Sequence, residues 1–456
     1  VITVLVIASV TALIAGSFLT RAALESRLAT RAVFLSAALN LAEAGIEEGL
    51  YAANTGGFNS DNGWTAPSGT TDVYVKTISS GFDYRQGTGA LHIRVDGATG
   101  RGPVITATGV ISIPNQPRLL KQLRVGVGPR KIWANGIVAK GNVTFTGSAH
   151  IDGYDSGLGP WNAATNRNDR ATVATNATVV LSGSTYVYGS VATGGAAPSV
   201  GGSGRIYGAT SPGTPLVDSS RVRTDFSANF TDATAPTTAA ISLGAYSVGG
   251  SSTVTFPRAG DTPGANGRYL YTASSLSVAG SGHIVINGPV DIIVTGNVTV
   301  GGSGYIAVGG GTYANPTFNL YAGGTVGIGG NGMVNGTALP ASASIWGTAP
   351  TGSSQSITIG GSGEFVGTIY APNADVVLSG SGDVSGAVIG KTVVVSGAGV
   401  MHYDVQLAQL SPLGGPTPDS SAAATLAISS WAELTAPPGS GGAFARDNRV
   451  PFNTLF

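Results

Sequence analysis

The chain has 456 residues, 71 of them glycine, with 10% charged residues, 23 Lys+Arg against 23 Asp+Glu, and no cysteine. That length allows two or three domains, the lack of cysteine excludes a disulfide framework and any thiolate metal site, and balanced charge without a basic run argues against nucleic acid as a main partner. Ordinary soluble domains carry about 25% charged residues, so this composition, with mean hydropathy +0.23, predicts a chain that buries much of its surface against copies of itself.

The first element is one long helix. "VITVLVIASVTALIAGSFL" (1–19) carries no charge and is long enough to cross a bilayer. It lacks the basic n-region and the cleavage site of a signal peptide. From Arg21 to Ala53 there is no proline, and Leu24, Leu28, Leu35, Leu39, Ile46 and Leu50 recur at steps of four and seven, an amphipathic stripe. "NTGG" (54–57) supplies the stop. A helix over 1–53 is about 80 Å long at ~1.5 Å per residue. One reading is a membrane anchor with a stalk. The other is a helix that spans the membrane first and packs in the core of a filament later. The Ala, Val, Thr, Ser and Gly of the apolar half favour the second, because small residues let helices approach closely.

Arg21 and Glu25 are spaced to pair within the helix. Arg27, Arg31, Glu43, Glu47 and Glu48 are left over, either as a solvated face or as charges that staggered neighbours set against one another to fix register.

"TRAALESRLATRAVFLSAALNLAEAGIEEGL" (20–50), and "AEAGIEE" (42–48) most specifically, resembles the N-terminal helix of PilX-type pilin-like proteins of the type IV pilus system. The resemblance implies a basic leader removed at the bacterial inner membrane, a start such as Val1, and assembly by the pilus or secretion machinery into an extracellular homopolymeric filament. The chain departs from the family pattern in two places. Most type IV pilins begin with Phe and have Glu fifth, and that Glu is thought to meet a neighbour's terminal amine. Here the positions are Val1 and Leu5, Thr3 offers only a hydroxyl, and a buried ammonium without a partner is costly. Pilins also often carry Pro near the twentieth residue. None occurs here, and Gly16 is the one soft point, so a more continuous helix is expected. The expected assembly residues are therefore Val1, Thr3, Leu5, Gly16, Arg27, Arg31, Glu43 and Glu47.

Four alternating runs follow, at 72–79, 90–96, 104–113 and 119–127, separated by Gly-rich turns. They predict an antiparallel meander with one buried face. The resemblance implies that the lower half of the helix packs on it.

Beyond 130 one turn is written again and again: "VAGSGHIVING" (278–288), "VGGSGYIAVGG" (300–310), "IGGSGEFVGTIY" (359–370), "VLSGSGDVSGAVIG" (377–390). The middle residues Ser281, Ser303, Asn331, Ser362, Ser381 and Ala398 are 22, 28, 31, 19 and 17 apart. Looser copies lie at Ser203, 146–153 and 181–190. Short Val/Ile strands between glycines at periods near 20 predict a β-solenoid of about ten rungs near 50 Å long at ~4.8 Å per rung. Glycine reaches the φ > 0 corners and lets stacked backbones approach. The alternative is a β-sandwich, with Asn-Gly at 135–136, 287–288, 331–332 and 335–336 as hairpin turns. The stretch 365–404, with "IYAPNADV", "SGDVSGAVIG" and "HYD", resembles a β-helical domain of the polymer-forming type that follows PilX-type helices. That resemblance brings no catalytic residues with it.

The expected fold is thus α+β: a long helix over 1–53, a pilin-like antiparallel sheet over 54–130, and a right-handed parallel β-helix over 131–208 and 269–410. A Pro-rich surface insertion is expected at 209–268 and a Pro/Gly/Ser-rich tail at 411–456, whose Trp431 docks the patch 426–434 on the rod.

Little in the sequence points to chemistry. "GIGGNG" (327–332) fits the dinucleotide spacing, but no helix follows it. His150, Asp152 and Asp155 in "HIDGYD" have the donors of a metal site, against the simpler reading of a turn with its own side-chain hydrogen bonds. Glu364, Asp375 and Asp383 are the sole candidates for the paired carboxylates of glycosidic cleavage, against turn capping. Sequons at Asn142, Asn176, Asn229, Asn297 and Asn335 suit turn chemistry as well as glycosylation. No enzyme activity, cofactor or metal is expected. The expected function is a structural subunit of a type IV pilus-like filament. The alternatives are a low-copy tip adhesin with a surface or carbohydrate ligand, and a membrane-tethered β-helix enzyme acting on polysaccharide.

Overall fold

The structure is a computed structural model that describes residues 2–84, 87–98, 102–129, 132–211, 215–409 and 426–434. The expectation for Val1, and those for the tail at 411–425 and 435–456, lie outside the described residues, as do the side chains of Thr3 and Leu5. The chain divides into two compact units, 1–130 with 423–456, and 131–422.

In the first unit α1 (Ile2–Thr55) runs without a break, as the lack of proline predicts, and ends two residues later than expected. Arg21 and Glu25 pair at 3.3 Å. The sheet contains β1 (Val73–Ile78), β2 (Asp83–Tyr84), β3 (Gly87–Asp96), β4 (Val104–Ser112) and β5 (Leu119–Pro129). Its antiparallel order is β1-β3-β4-β5, with β2 beside β3. Phe34, Ala38, Leu41, Ala42, Ile46 and Ala52 of α1 are buried, and so are Leu91, Ile93, Ile105, Ala107, Leu123 and Val125 of the sheet. The small residues of α1 explain the close approach. A Cβ on Gly45 stands 2.6 Å from Leu91 Cδ1, one on Gly49 stands 2.7 Å from Ile105 Cγ2, and one on Gly109 of β4 stands 2.0 Å from the Ala38 carbonyl oxygen. Ala38, Ala42, Gly45 and Gly49 therefore form the strip on which the backbone of α1 seats. Glu48, left over in the sequence reading, is bound by Lys76 of β1 at 2.7 Å.

The sheet has one more strand, Leu426–Leu434, which pairs antiparallel with β5, and Lys121 is bonded to Glu433 across that pair. This corrects the expectation that 426–434 docks on the repeat: the stretch completes the sheet of the first unit, and the second unit is an insertion in the first.

In the second unit every named strand pairs in parallel. The sandwich alternative, which needs hairpins, is excluded for these strands. The strands fall into three rows. In one row the stacked residues are Val248, Val278, Val300, Ile328, Ile359, Leu378, Val395, Phe145, Leu181 and Val200. A second row runs from Ile241 through Tyr271, Ile292 and onward to Val222, and a third from Val254 through Ile284 and Ile306 to Ile206. The apolar columns pointing inward make one continuous core.

The recurring glycine turn has its cause here. Gly250, Gly280, Gly302, Gly330, Gly361, Gly380, Gly397, Gly147, Gly183 and Gly202 all have φ between 60° and 105° and follow the order of the rows. Each turn bonds to the next: Ser303 N–H donates to the Gly280 carbonyl at 2.8 Å, Ser381 N–H to Gly361 at 3.0 Å and Ser148 N–H to Gly397 at 2.9 Å. "GIGGNG" is one member of this column, through Gly330, and the strand Met333–Asn335 follows it. Gly380→Ala places a Cβ 2.3 Å from the Gly361 carbonyl oxygen at φ 105°, whereas a Cβ on Gly250 has nothing within 4 Å. In urea unfolding, Gly380→Ala is expected to lower stability by about 2 kcal/mol or more, and Gly250→Ala by about 1 kcal/mol from the strained φ alone.

The rows do not rise in chain order. The last circuit lies on the first: Val388 pairs with Ile137, Val395 with Phe145, and Met401 with Ile151. The chain therefore starts in the middle of the stack and winds to one end at Val222–Arg223. It then crosses to the other end, resumes at Ile241–Val248, and winds back to the middle. A single solenoid climbing from 131 to 410 is not what forms. The expected surface insertion 209–268 instead supplies strands Val222–Arg223, Ile241–Val248 and Thr253–Phe256 to the rows. The crossing, 224–240, is a strap. Phe226 N–H bonds to Thr193, Asn176 clasps Ala228 at both backbone groups, Tyr370 OH donates to the Thr231 carbonyl, and Asp232 takes Asn373 and Thr351. Those partners belong to circuits on both sides of the seam between 137–151 and 388–401, so the strap ties them together.

Hydrogen bonds from Asn373 and Thr351 hold the Asp232 carboxyl below its ordinary value, against a smaller opposing effect of burial. A carboxylate lowered on folding stabilises above its unfolded pKa, about 3.9, and that contribution disappears as pH falls through the lower folded value. Hydrogen exchange over 226–233, corrected for the intrinsic rate, is expected to speed up as pH drops below about 4. The Asp232→Ala protein should exchange fast across the range, with no such acid step.

Candidate functional site

Two features stand apart from the packing. The first is the N-terminal half of α1. Its run of apolar side chains is bare: Ile2 is 82% exposed, Leu13 75% and Phe18 72%, with Val6, Ile7, Val10, Ile14, Leu19, Leu24, Leu28 and Val33 likewise exposed. An 18-residue window of this helix has mean hydropathy 1.6 with none of it buried, enough by length and composition to cross a membrane. Exposed apolar surface this continuous marks a face awaiting lipid or protein. Gly16 has nothing within 4 Å of a Cβ. Arg27, Arg31, Glu43 and Glu47 are exposed, and none forms an ion pair among the described residues. They line the helix below the apolar run, basic first and acidic after, as the sequence reading has them.

The second feature is a buried cluster at the seam where the last circuit meets the first. Strands His150–Tyr154 and Val400–Asp404 pair so that His402 faces Asp152. His402 Nδ1 and Asp152 Oδ1 are 2.6 Å apart, and Arg167 Nε donates to Asp152 Oδ2 at 2.7 Å. The Trp161 ring stacks on His402 at 3.9 Å. Beyond His402 lie Asp383 and Glu364, in the turns before strands Val384–Val395 and Phe365–Leu378. His402 Nε2 is 3.7 Å from Asp383 Oδ2, too far for a hydrogen bond, and has no hydrogen-bond partner among the described residues although the side chain is 2% exposed. Burial pushes the Glu364 carboxyl up, and the Asp383 charge adds to that. Burial alone lowers the His402 imidazole, but Asp152 and Asp383 outweigh it and hold it above its ordinary value.

The structure thus brings together Asp152, Asp383 and Glu364 of the sequence candidates, leaves His150 at the edge of the cluster, where it feels the Asp152, His402 and Arg167 charges, and separates Asp155 and Asp375. His150 stacks on Tyr186 at 4.2 Å. Asp155 accepts from Gly157 N–H and Gln406, the turn chemistry expected of it. Asp375 takes the Thr392 hydroxyl at 2.6 Å in another row, so it forms no carboxylate pair with Glu364 or Asp383. His402 was missed as a partner of Asp152 because 250 positions separate them. Three sequon asparagines do structural work: Asn176 on the strap, Asn297 accepting from Thr325 N–H, and Asn335, buried, donating to Leu339, Ser342 and Val366.

A family model described as a domain of unknown function, DUF7305, matches residues 218–410, the strap and every circuit after it. No curated protein matches the sequence. Among solved structures, the competence-associated pilin ComZ from Thermus thermophilus aligns over 87% of this chain and 96% of its own at 12% identity, with a TM-score of 0.26, a score too low to indicate a shared overall arrangement.

Proposed function

We propose that the chain is a structural subunit of a type IV pilus-like filament, held in a membrane by α1 before assembly and through α1 to its neighbours afterwards. The observation that carries this reading is the division of α1. Residues 34–52 are seated on the sheet by a strip of small residues, while the apolar run before them is exposed among the described residues. A helix anchored at one end and bare at the other offers its apolar face first to lipid and then to other helices, and the exchange costs little because both surroundings are apolar. The helical motif 42–48 and its resemblance to pilin-like proteins support the same reading, and so does a second unit whose strands satisfy their own backbone groups. In this reading the second unit is a parallel β-helix that contributes the outer part of each subunit.

The test is electron microscopy of filaments sheared from cells, with the main band identified by mass spectrometry. A band of this chain in a filament supports the proposal. Its presence only in trace amounts makes it a low-copy tip subunit, and its absence from any filament overturns the proposal. Exposed Glu43 and Glu47, without ion-pair partners among the described residues, are placed to meet Arg27 and Arg31 of staggered neighbours. The double reversal Glu43→Lys/Glu47→Lys is expected to abolish filaments while membrane flotation and circular dichroism stay unchanged. Normal filaments from it would leave those charges as a solvated face.

A further inference from the structure

The side-chain amide of Asn373 is held from both sides. It is 5% exposed, in the strand Phe365–Leu378 where pairing with Val384–Val395 breaks between Ala371 and Asp375. Lys140 Nζ donates to its Oδ1 at 2.7 Å. Its Nδ2 donates to Asp232 Oδ1 at 2.8 Å and to the Ala349 carbonyl at 2.9 Å. The Thr351 hydroxyl lies 3.4 Å from Asn373 Oδ1 and donates to Asp232 Oδ1 at 3.0 Å. Three distant parts of the chain meet at this amide. Lys140 follows the strand Ile137–Ala139 of the first circuit, Asn373 belongs to a late circuit, and Asp232 to the strap. Lys140 reaches past the circuit that lies between, since Ala139 pairs with Gly390 and Gly390 with Ala371. Its Nζ stands 6.0 Å from the centre of the Phe230 ring. Among the described residues it forms no ion pair; the amide is its partner.

We propose that Lys140 and Asn373 join through an intramolecular isopeptide bond, which the protein forms by itself with Asp232 carrying the proton. An amine, a carboxamide and a carboxylate placed at the amide nitrogen are the parts that acyl transfer to an amine needs. Nζ, as the free amine, adds to Asn373 Cγ, and the carbonyl electron pair moves to Oδ1. In this tetrahedral adduct Nζ and Nδ2 share one carbon, so a carboxylate already bonded to Nδ2 is in reach of both. Asp232 takes a proton from Nζ and gives it to Nδ2. The Cγ–Nδ2 bond then breaks, the electron pair on Oδ1 restores the carbonyl, and ammonia leaves. One amide replaces another, nothing is oxidised or reduced, and no co-reactant is required. The Asn373 and Thr351 hydrogen bonds hold the Asp232 carboxyl below its ordinary value, so it begins ionised, as a proton acceptor must. The hydrogen bonds on Nδ2 fix the amide, and Nζ alone has to move, from beside the oxygen to above the carbon. The reaction occurs once per chain, so a slow step suffices. The bond would close a span of 233 positions and staple the first circuit to a late one across the seam. Such a cross-link restricts the unfolded chain and so stabilises the folded one. The inference does not depend on the assembly role.

The test is intact mass spectrometry of the full chain in detergent micelles, followed by tandem mass spectrometry of its proteolytic peptides. The expected result is a mass lower than that of the sequence by one ammonia, and a branched peptide that joins Lys140 to Asn373. Lys140→Arg keeps a cation at the amide and is expected at its full mass, with a melt several degrees lower. Asp232→Asn keeps the side chain's shape and is expected to form the bond about a hundredfold more slowly or worse. Circular dichroism checks the folding of both variants, and the branched peptide of the natural chain decides the matter even where a variant fails to fold. A natural chain still at full mass after prolonged incubation at mildly alkaline pH, which supplies the free amine, overturns the proposal and leaves these contacts as hydrogen bonds. Ammonia loss without the branched peptide, or ammonia loss that persists in folded Lys140→Arg, overturns it too, because an asparagine that cyclises on its own backbone sheds the same mass.

Discussion

Replacing Ile14 by aspartate is expected to abolish membrane association and filament formation while leaving both units folded. Ile14 is 64% exposed, in the middle of the bare part of α1, so its replacement disturbs no packing of α1 against other elements among the described residues. In a bilayer the same position sits deep in hydrocarbon. Aspartate at a helix centre costs about 3 kcal/mol where isoleucine contributes about −0.5 kcal/mol, a difference of about 3.5 kcal/mol, or several hundredfold in partitioning. The same penalty recurs among packed apolar helices, where an unpaired charge is left without water. Membrane flotation and electron microscopy read the loss, and circular dichroism with a thermal melt reads the folding. A variant that floats normally and still polymerises would show that this face meets neither lipid nor protein. A variant that unfolds would show that the face is covered within the subunit after all.

The contrast with Ala38, Ala42, Gly45 and Gly49 sharpens the point. These four positions lie on one face of the same helix, but there the sheet is so close that a methyl group on Gly45 meets Leu91 and Ala107. Gly16, in the upper part of α1, has no such neighbour among the described residues. The lower half uses its small side chains to seat its backbone on its own sheet; in the proposed assembly those of the upper half leave room for the backbones of neighbouring helices.

How much of this was legible in the sequence depends on the range of the cause. The helix, its continuity and the meander follow from local periodicity and from the absence of proline, and β1, β3, β4 and β5 fall within two or three residues of the runs that predict them. The parallel stacking of Val, Ile and glycine turns was legible because each circuit writes the same pattern. What could not be read was the order of the circuits. A parallel stack looks alike from circuit to circuit, so the circuit at 137–151 can lie on 388–401 as readily as on any other, and no local feature of either says so. The crossing at 224–240 looks like a loop because it is one; only the asparagine and tyrosine side chains it meets far away in the sequence make it a strap. The seam cluster was hidden for the same reason. His402 and Asp152 become neighbours only through that order, whereas Glu364 and Asp383 were visible as carboxylates in equivalent turns.

The insertion of the second unit into the first leads to the other large expected effect. Truncation after Gln409 leaves every named strand of the second unit in place, the last being Val400–Asp404. It deletes Leu426–Leu434 and its pairing with β5 from Gln122 to Pro129. Backbone hydrogen bonds contribute about 1 kcal/mol each net, so losing a paired edge strand is expected to cost the first unit several kcal/mol, with the Lys121–Glu433 ion pair lost as well. The new edge also leaves an unpaired row of donors and acceptors on β5, a template for aggregation. Hydrogen exchange on the truncated protein is expected to show protection lost across Gln122–Val127 and weakened in β4, with protection across 137–404 unchanged. A first unit that keeps its protection would mean that α1 and the β1–β5 sheet are stable without the returning strand. Loss of protection in the second unit instead would mean that its circuits lean on residues beyond Gln409, contrary to a stack closed on itself by the pairing of its last circuit with its first.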